Sequence, residues 1–293
     1  MMKKLCKGSV ISILLVCWII VTAYAGEARR SITIAILHCT HVLMAFEKFR
    51  PLVKYLEQET GLDIKLVIAA DPEEFERSLR NEEIDFAFQN PGTYALLDRF
   101  YDKGSLLRAL SPEGTTTRSG IVIARKDSGI KNVADLKDKT VMFGPKFSTV
   151  RWIAAKWLFE DNGLDIDRDL RGYSNGKCCE DIAFSVQLGK VDAGVVCDHF
   201  LEQHCEKHQE LGVDPQQLAV IGKTKLVSTR VFASRQGVDS DIVNKVNEAL
   251  LRLDRNLPEH DEILNPTELG GFQKSKDEYY DDIRSQLGIK IRE

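Results

Sequence analysis

The sequence has no basic stripe. Its 40 Lys and Arg are offset by 44 Asp and Glu, a net charge of −4 over 293 residues. That argues against nucleic acid as a partner. Proline (8) and glycine (20) are sparse and hydrophobic residues make up 43%, which excludes collagen-like, low-complexity and wholly disordered chains. No Gly-rich phosphate loop, no H-E-x-x-H and no C-x-x-C-H occurs, so P-loop, zincin and covalent haem chemistry have no motif to rest on. Gly172-Tyr173-Ser174-Asn175-Gly176 matches G-x-S-x-G in letters only. A nucleophile elbow needs an apolar strand before it. The charged stretch Asp167–Arg171 stands there instead, so this segment reads as a polar turn. With no internal repeat and no long linker, one large or two ordinary globular domains remain.

What is present begins with a targeting pattern. Lys3, Lys4 and Lys7 precede an apolar run from Val10 to Val21, and Ala23-Tyr24-Ala25 offers a small-x-small cleavage site. This reads as a secretory signal peptide over residues 1–25 and predicts a periplasmic protein. The run is short for a membrane span, which needs about 20 residues. Cleavage removes three lysines and no acid, taking the net charge from −4 to −7. It leaves Cys39, Cys178, Cys179, Cys197 and Cys205, an odd number in an oxidising compartment.

Strands and helices alternate along the mature chain. Ser31–Leu37, Ile64–Ala69, Asp85–Phe88, Leu106–Leu110, Gly120–Ala124, Thr140–Phe143, Val191–Val196, Leu218–Ile221 and Val227–Ala233 read as strands. Helical spacing follows Val42 (with Pro51 expected to kink or restart the helix), Pro72, Val150, Ile182 and Asp241. The acidic run Asp277–Asp282 reads as a solvated helix face. The expectation is an α/β fold of two lobes in series, each with a mostly parallel sheet, joined by a two-strand hinge. The chain divides as lobe 1 over 26–122, lobe 2 over 123–226, and a return to lobe 1 over 227–293.

In such sheets ligands bind beyond the carboxyl ends of strands. That rule selects four segments. After Leu37 stands His38-Cys39-Thr40-His41, and after Phe88 stands Gln89-Asn90-Pro91-Gly92-Thr93-Tyr94. After Phe143 stands Gly144-Pro145-Lys146-Phe147-Ser148-Thr149, and after Val196 stands Cys197-Asp198-His199. Ser148 or Thr149 would cap the helix near Val150, and that helix start, with Lys146 and Arg151, suits an anion. Cys178 or Cys179, at the start of another helix, should have a lowered thiol pKa.

These residues carry a resemblance. The run Arg118–Ile130, then Val133–Gly144, Ser148-Thr149 and Val191-Asp192-Ala193-Gly194 resemble the phosphate/phosphite/phosphonate periplasmic binding proteins of ABC importers. The resemblance spans nearly the whole mature chain. It implies a type II periplasmic binding protein-like clamp whose hinge closes over an oxyanion, with an ABC permease as partner and no catalysis or cofactor. Its ligand hydroxyls match Ser148 and Thr149, and a polar group of the first lobe matches Thr93 or Tyr94, with Asn90 beside them. Where the family often has Gly-Gly-His-Asp, this chain reads Gly176-Lys177-Cys178-Cys179-Glu180. Cys179 and Glu180 take the His and Asp places, while Cys197-Asp198 ends the next strand.

The expected ligand-binding set is therefore Cys39, Asn90, Thr93, Tyr94, Lys146, Ser148, Thr149, Cys179, Glu180, Cys197 and Asp198. Three readings of the cysteines stay open: a disulfide from Cys178 or Cys179 to Cys197, a soft site for a metal or sulfur-containing anion, and a redox role. A bridge from Cys179 would close a loop of about 20 residues and contribute roughly 3 kcal/mol. His204 and His208 lie four apart and read as a solvated helix face. The functional alternatives are a periplasmic sensing module that signals to a sensor kinase, a Cys/His metal- or thiol-ligand-binding protein, and a thiol-dependent enzyme.

Overall fold

The computed structural model describes residues 31–37, 42–69, 71–203 and 212–289. The signal-peptide segment, Cys39 and the histidines at 204 and 208 lie outside the described residues.

Strands are β1 (Ser31–Leu37), β2 (Asp63–Ala69), β3 (Phe86–Gln89), β4 (Leu107–Leu110), β5 (Thr117–Arg118), β6 (Gly120–Arg125) and β7 (Thr140–Phe143). They continue as β8 (Gly172–Asn175), β9 (Ala193–Cys197), β10 (Leu218–Lys223), β11 (Val227–Ser228), β12 (Val231–Ser234) and β13 (Gly271–Lys274). Helices are α1 (Val42–Thr60), α2 (Pro72–Arg80), α3 (Pro91–Leu97), α4 (Ala154–Asp161) and α5 (Cys179–Gln187). After them come α6 (Phe200–Gln203), α7 (Ser240–Leu251), α8 (Pro258–Leu264) and α9 (Asp281–Gln286).

Lobe 1 is built on a six-stranded sheet in the order β13-β4-β12-β3-β1-β2, and lobe 2 on a five-stranded sheet in the order β10-β6-β9-β7-β8. Both sheets are mixed, not mostly parallel. β2, β1 and β3 run parallel, and β12, β4 and β13 add antiparallel. In lobe 2, β9, β7 and β8 run parallel, and β6 and β10 add antiparallel. The physical reason is the crossing itself. A strand that arrives from the other lobe enters at the carboxyl end of the parallel strands and runs back against them.

The crossings are one short ladder, β5 against β11, pairing Val227 with Arg118 and Ser228 with Thr117. β6 belongs to lobe 2 from Gly120 onward, so the division expected after residue 122 falls inside a strand of lobe 2. The stretch Val227–Ala233 is two strands rather than one, broken at Thr229-Arg230.

Local chemistry explains the helices. Asp71 caps α2 by accepting from Glu74 N at 2.7 Å, with Pro72 at the first position. α1 continues through Pro51 for 19 residues, because its buried face of Ala45, Phe49, Leu52, Val53, Tyr55 and Leu56 holds it to the sheet. The G-x-S-x-G letters form the parallel edge strand β8, not a turn. The acidic run is not a solvated face either. Asp277 and Asp281 grip Arg284, which is 3% exposed, and Asp98 accepts from its Nε at 3.1 Å.

Candidate functional site

The lobe 1 wall starts where β3 ends. Asn90 is the N-cap of α3, its Oδ1 accepting from Thr93 N at 3.0 Å while its Nδ2 donates to Thr93 Oγ1 at 3.0 Å. Pro91 fixes the first helical position. Asn90 and Thr93 are thus locked to each other, and Thr93 is buried. Tyr94 is not at this wall. It is fully buried in lobe 1, stacked on Tyr101, and its hydroxyl donates to Asp277 at 2.6 Å. Burial pushes its phenol far above the ordinary pKa, so it is a neutral core donor.

The lobe 2 wall starts where β7 ends. Ser148 Oγ accepts from Arg151 N at 3.3 Å and caps a π-helical turn, Thr149–Ile153, that leads into α4. The first N–H groups of that turn have no acceptor within the helix. Gly144 lets Arg151 lie against the end of β7, since a Cβ there would stand 2.6 Å from Arg151 Cβ. Arg151 is buried and its Nη1 donates to Lys177 O at 3.2 Å. Lys146 is exposed on the connecting turn.

The two walls meet. Thr149 Oγ1 accepts from Gly92 N at 2.8 Å and donates to Asn90 Oδ1 at 3.2 Å. Thr149 is 2% exposed. Ile153 packs into the lobe 1 core beside Tyr94 and Ala95, and Trp157 Nε1 donates to Gln286 Oε1 of α9. A Cβ on Gly92 would stand 2.6 Å from Phe147 O and 2.8 Å from Ile153 Cδ1, both of lobe 2. Only glycine permits this approach.

Cys179 and Cys197 lie side by side in lobe 2, with Cys197 N donating to Cys179 Sγ at 3.3 Å. The hydrogen bond to the Cys197 thiol, then burial, raise the Cys179 thiol well above its ordinary pKa, against the opposing Arg151 charge. Cys178 Sγ instead meets Asp181 Oδ2 at 3.2 Å. Burial, then the Asp181 and Glu180 carboxylates, push its thiol up to about 12. The expectation of a lowered thiol pKa at this helix start is therefore overturned: burial, with the Cys197 thiol beside Cys179 and the carboxylates beside Cys178, disfavours the thiolate. Glu180 sits half-buried in the first turn of α5. No group of three or more His, Cys, Asp and Glu among the described residues could hold a metal ion.

Asp198 has turned to the hinge. It accepts from Ser119 N at 3.0 Å, Ser119 Oγ at 2.8 Å and His199 N at 2.9 Å, and Arg118 Nη1 is 3.7 Å away. Burial alone would raise its pKa. The bonds from His199 and Ser119 and the Arg118 charge outweigh that and hold its carboxyl well below the usual range.

The structure thus joins Asn90, Thr93 and Thr149, leaves Ser148 capping the adjacent turn, sets Cys179 beside Cys197, and gives Tyr94 and Asp198 hydrogen-bond partners in the core and at the hinge. Sequence reasoning missed Gly92, which carries no side-chain signal at all.

A two-lobed α/β clamp with a two-strand hinge is the architecture of periplasmic solute-binding proteins. Residues 36–280 match the family described as ABC transporter, phosphonate, periplasmic substrate-binding protein, and the chain belongs to it. The phosphate-import protein PhnD of Mycolicibacterium smegmatis is 22% identical over 228 residues, covering 73% of this chain and 68% of that protein. A binding-protein component of an ABC phosphonate transporter from Pseudomonas aeruginosa superposes with a TM-score of 0.75 at 20% identity, covering 88% of this chain and 86% of that one. PhnD1 of Prochlorococcus marinus, solved with methylphosphonate, gives 0.76 at 14% identity, covering 88% and 98%. The family transports solutes and is periplasmic; it is not a family of enzymes.

Proposed function

We propose that this chain captures a phosphonate-class oxyanion between its lobes and presents the closed clamp to the permease of an ABC importer. One observation carries the reading: Thr149 Oγ1, at the start of a helix, bridges to Asn90 and Gly92 of the opposite lobe. Hydroxyls and helix N–H groups lie where an oxyanion is stabilised by hydrogen bonding and dipole rather than by net charge. Ser148 and the first N–H groups of the π turn hold the oxygens from lobe 2, and Thr149, whose hydroxyl proton goes to Asn90 Oδ1, latches the lobes over them. Asn90 and Thr93 close from lobe 1. Closure is rotation about the β5–β11 ladder, the short link common to hinge-bending clamps.

The test is calorimetry of the mature protein with methylphosphonate, phosphite, phosphate and sulfate. At least one phosphorus oxyanion binds, and Thr149→Val, which removes both bonds of that hydroxyl across the seam, weakens it by about 5- to 150-fold, or about 1–3 kcal/mol. Absence of heat with every phosphorus oxyanion refutes the reading. So does a Thr149→Val protein that binds as the wild type does.

A further inference from the structure

Cys179 and Cys197 meet because α5 presses on β9. Cys179 is the first residue of α5 and Cys197 the last of β9, 18 positions later. A Cβ on Gly194 of β9 would stand 2.4 Å from Ile182 Cγ2 of α5, so glycine permits the approach. Cys197 N donates to Cys179 Sγ at 3.3 Å, and the two thiols hydrogen-bond to each other. Neither is in a disulfide, and both are half-buried.

The pair is held from both sides. Cys197 stands opposite Gly120 in the β6–β9 ladder, and Ser119 holds the next residue, Asp198, through its N–H and its hydroxyl. Cys179 packs against the lobe 2 core that contains Ile182, Ala183 and Val196. Two sulfurs fixed side by side lose little freedom when one atom bridges them. A metal ion is a poor bridge here. It binds thiolates, and the Cys197 thiol and burial hold the proton on Cys179. No third His, Cys, Asp or Glu completes a metal site among the described residues.

We propose that Cys179 and Cys197 form a dithiol site for trivalent arsenic hydroxide in lobe 2, beside the hinge. Arsenic in this state is soft, and it exchanges hydroxide for sulfur with protonated thiols. One arsenic trihydroxide and two thiols give one dithioarsenite, which keeps a hydroxyl, and two waters. Two As–O and two S–H bonds break while two As–S and two O–H bonds form. Arsenic stays trivalent, so no oxidant or reductant enters. The product is neutral and suits a half-buried position. Hydrogen bonds around the thiols do not block the exchange, because it needs the sulfurs adjacent rather than unengaged. Cys178 stays outside the site, since its Sγ meets Asp181 Oδ2 at 3.2 Å. This is an additional site, and it does not depend on the phosphonate reading.

The experiment uses the mature protein, reduced and then freed of reductant under nitrogen, with arsenite as the probe. The intact mass should rise by one As–OH unit less two hydrogens. Cys179→Ser and Cys197→Ser should each weaken arsenite binding by about 100-fold or more, because the second sulfur then no longer adds intramolecularly. Cys178→Ser should bind as wild type does. X-ray absorption at the arsenic edge of the wild-type adduct needs no variant, and should show two sulfurs and one oxygen. An unchanged mass overturns the proposal. So does an adduct that persists in Cys179→Ser or Cys197→Ser, or an arsenic bound to any other number of sulfurs. Calorimetry with methylphosphonate on the same wild-type preparation keeps the two readings apart. Methylphosphonate binding without arsenite binding removes only the dithiol site, and arsenite binding without that of any phosphorus oxyanion removes only the phosphonate reading.

Discussion

Gly92→Ala separates closure from folding. A Cβ at this position would stand 2.6 Å from Phe147 O and 2.8 Å from Ile153 Cδ1, across the seam between the lobes. A carbonyl is not a side-chain tip that can swing away. Ordinary contact needs about 3.5 Å, so the lobes must part by roughly 0.9 Å. A separation of that size stretches the 2.8 Å bond from Gly92 N to Thr149 Oγ1 past hydrogen-bond range, and the 3.2 Å bond from Thr149 to Asn90 with it. Two hydrogen bonds of about 0.5–1.5 kcal/mol each come to about 1–3 kcal/mol on the closed form alone. Affinity for the oxyanion should then fall by roughly 5- to 150-fold. Folding should move the other way. Gly92 lies in α3 outside the left-handed region, where alanine stabilises a helix by about 0.5–1 kcal/mol relative to glycine. The assay is calorimetric affinity beside the melting temperature of the unliganded protein. Weakened binding at an equal or raised melting temperature is expected. Unchanged affinity would refute the steric argument, and so would a lower melting temperature with binding intact.

Three other outcomes follow from the same geometry. Tyr94→Phe should cost about 1–2 kcal/mol of stability by leaving Asp277 short of a donor, while affinity by calorimetry stays that of wild type. Asp198→Asn should destabilise the hinge by about 1–3 kcal/mol. Because the folded pKa of Asp198 is depressed, that stability is present above the unfolded value of about 3.9 and is lost as pH falls toward the folded one. The gap in melting temperature between wild type and Asp198→Asn should thus be full at pH 6–7 and shrink below about pH 4. Diamide, which takes two thiol hydrogens per disulfide formed, should join Cys179 to Cys197 and not Cys178 to Cys197; peptide mapping without reductant reads the pairing. The closed loop should raise stability by about 3 kcal/mol.

The periodic features were legible in the chain alone. Alternation of strands and helices and a cap at Ser148 or Thr149 follow from local chemistry that the neighbouring residues already contain. The two lobes and the hydroxyl pair Ser148-Thr149 were legible on that basis. Tertiary structure decided what each polar group faces. Tyr94 and Thr93 are adjacent in sequence, yet one side chain turns into the core toward Asp277 and the other toward Asn90, because successive helical residues point about 100° apart. Asp198 ends a strand, as a ligand residue would, but the partner that claims it is Ser119, 79 positions earlier. The raised thiols reflect burial together with the Cys197 thiol beside Cys179 and the carboxylates beside Cys178, which a helix start alone does not reveal. Gly92 shows the limit most clearly. Its importance is a missing Cβ against Phe147 O and Ile153 Cδ1, a relation between segments far apart in the chain that only folding brings together.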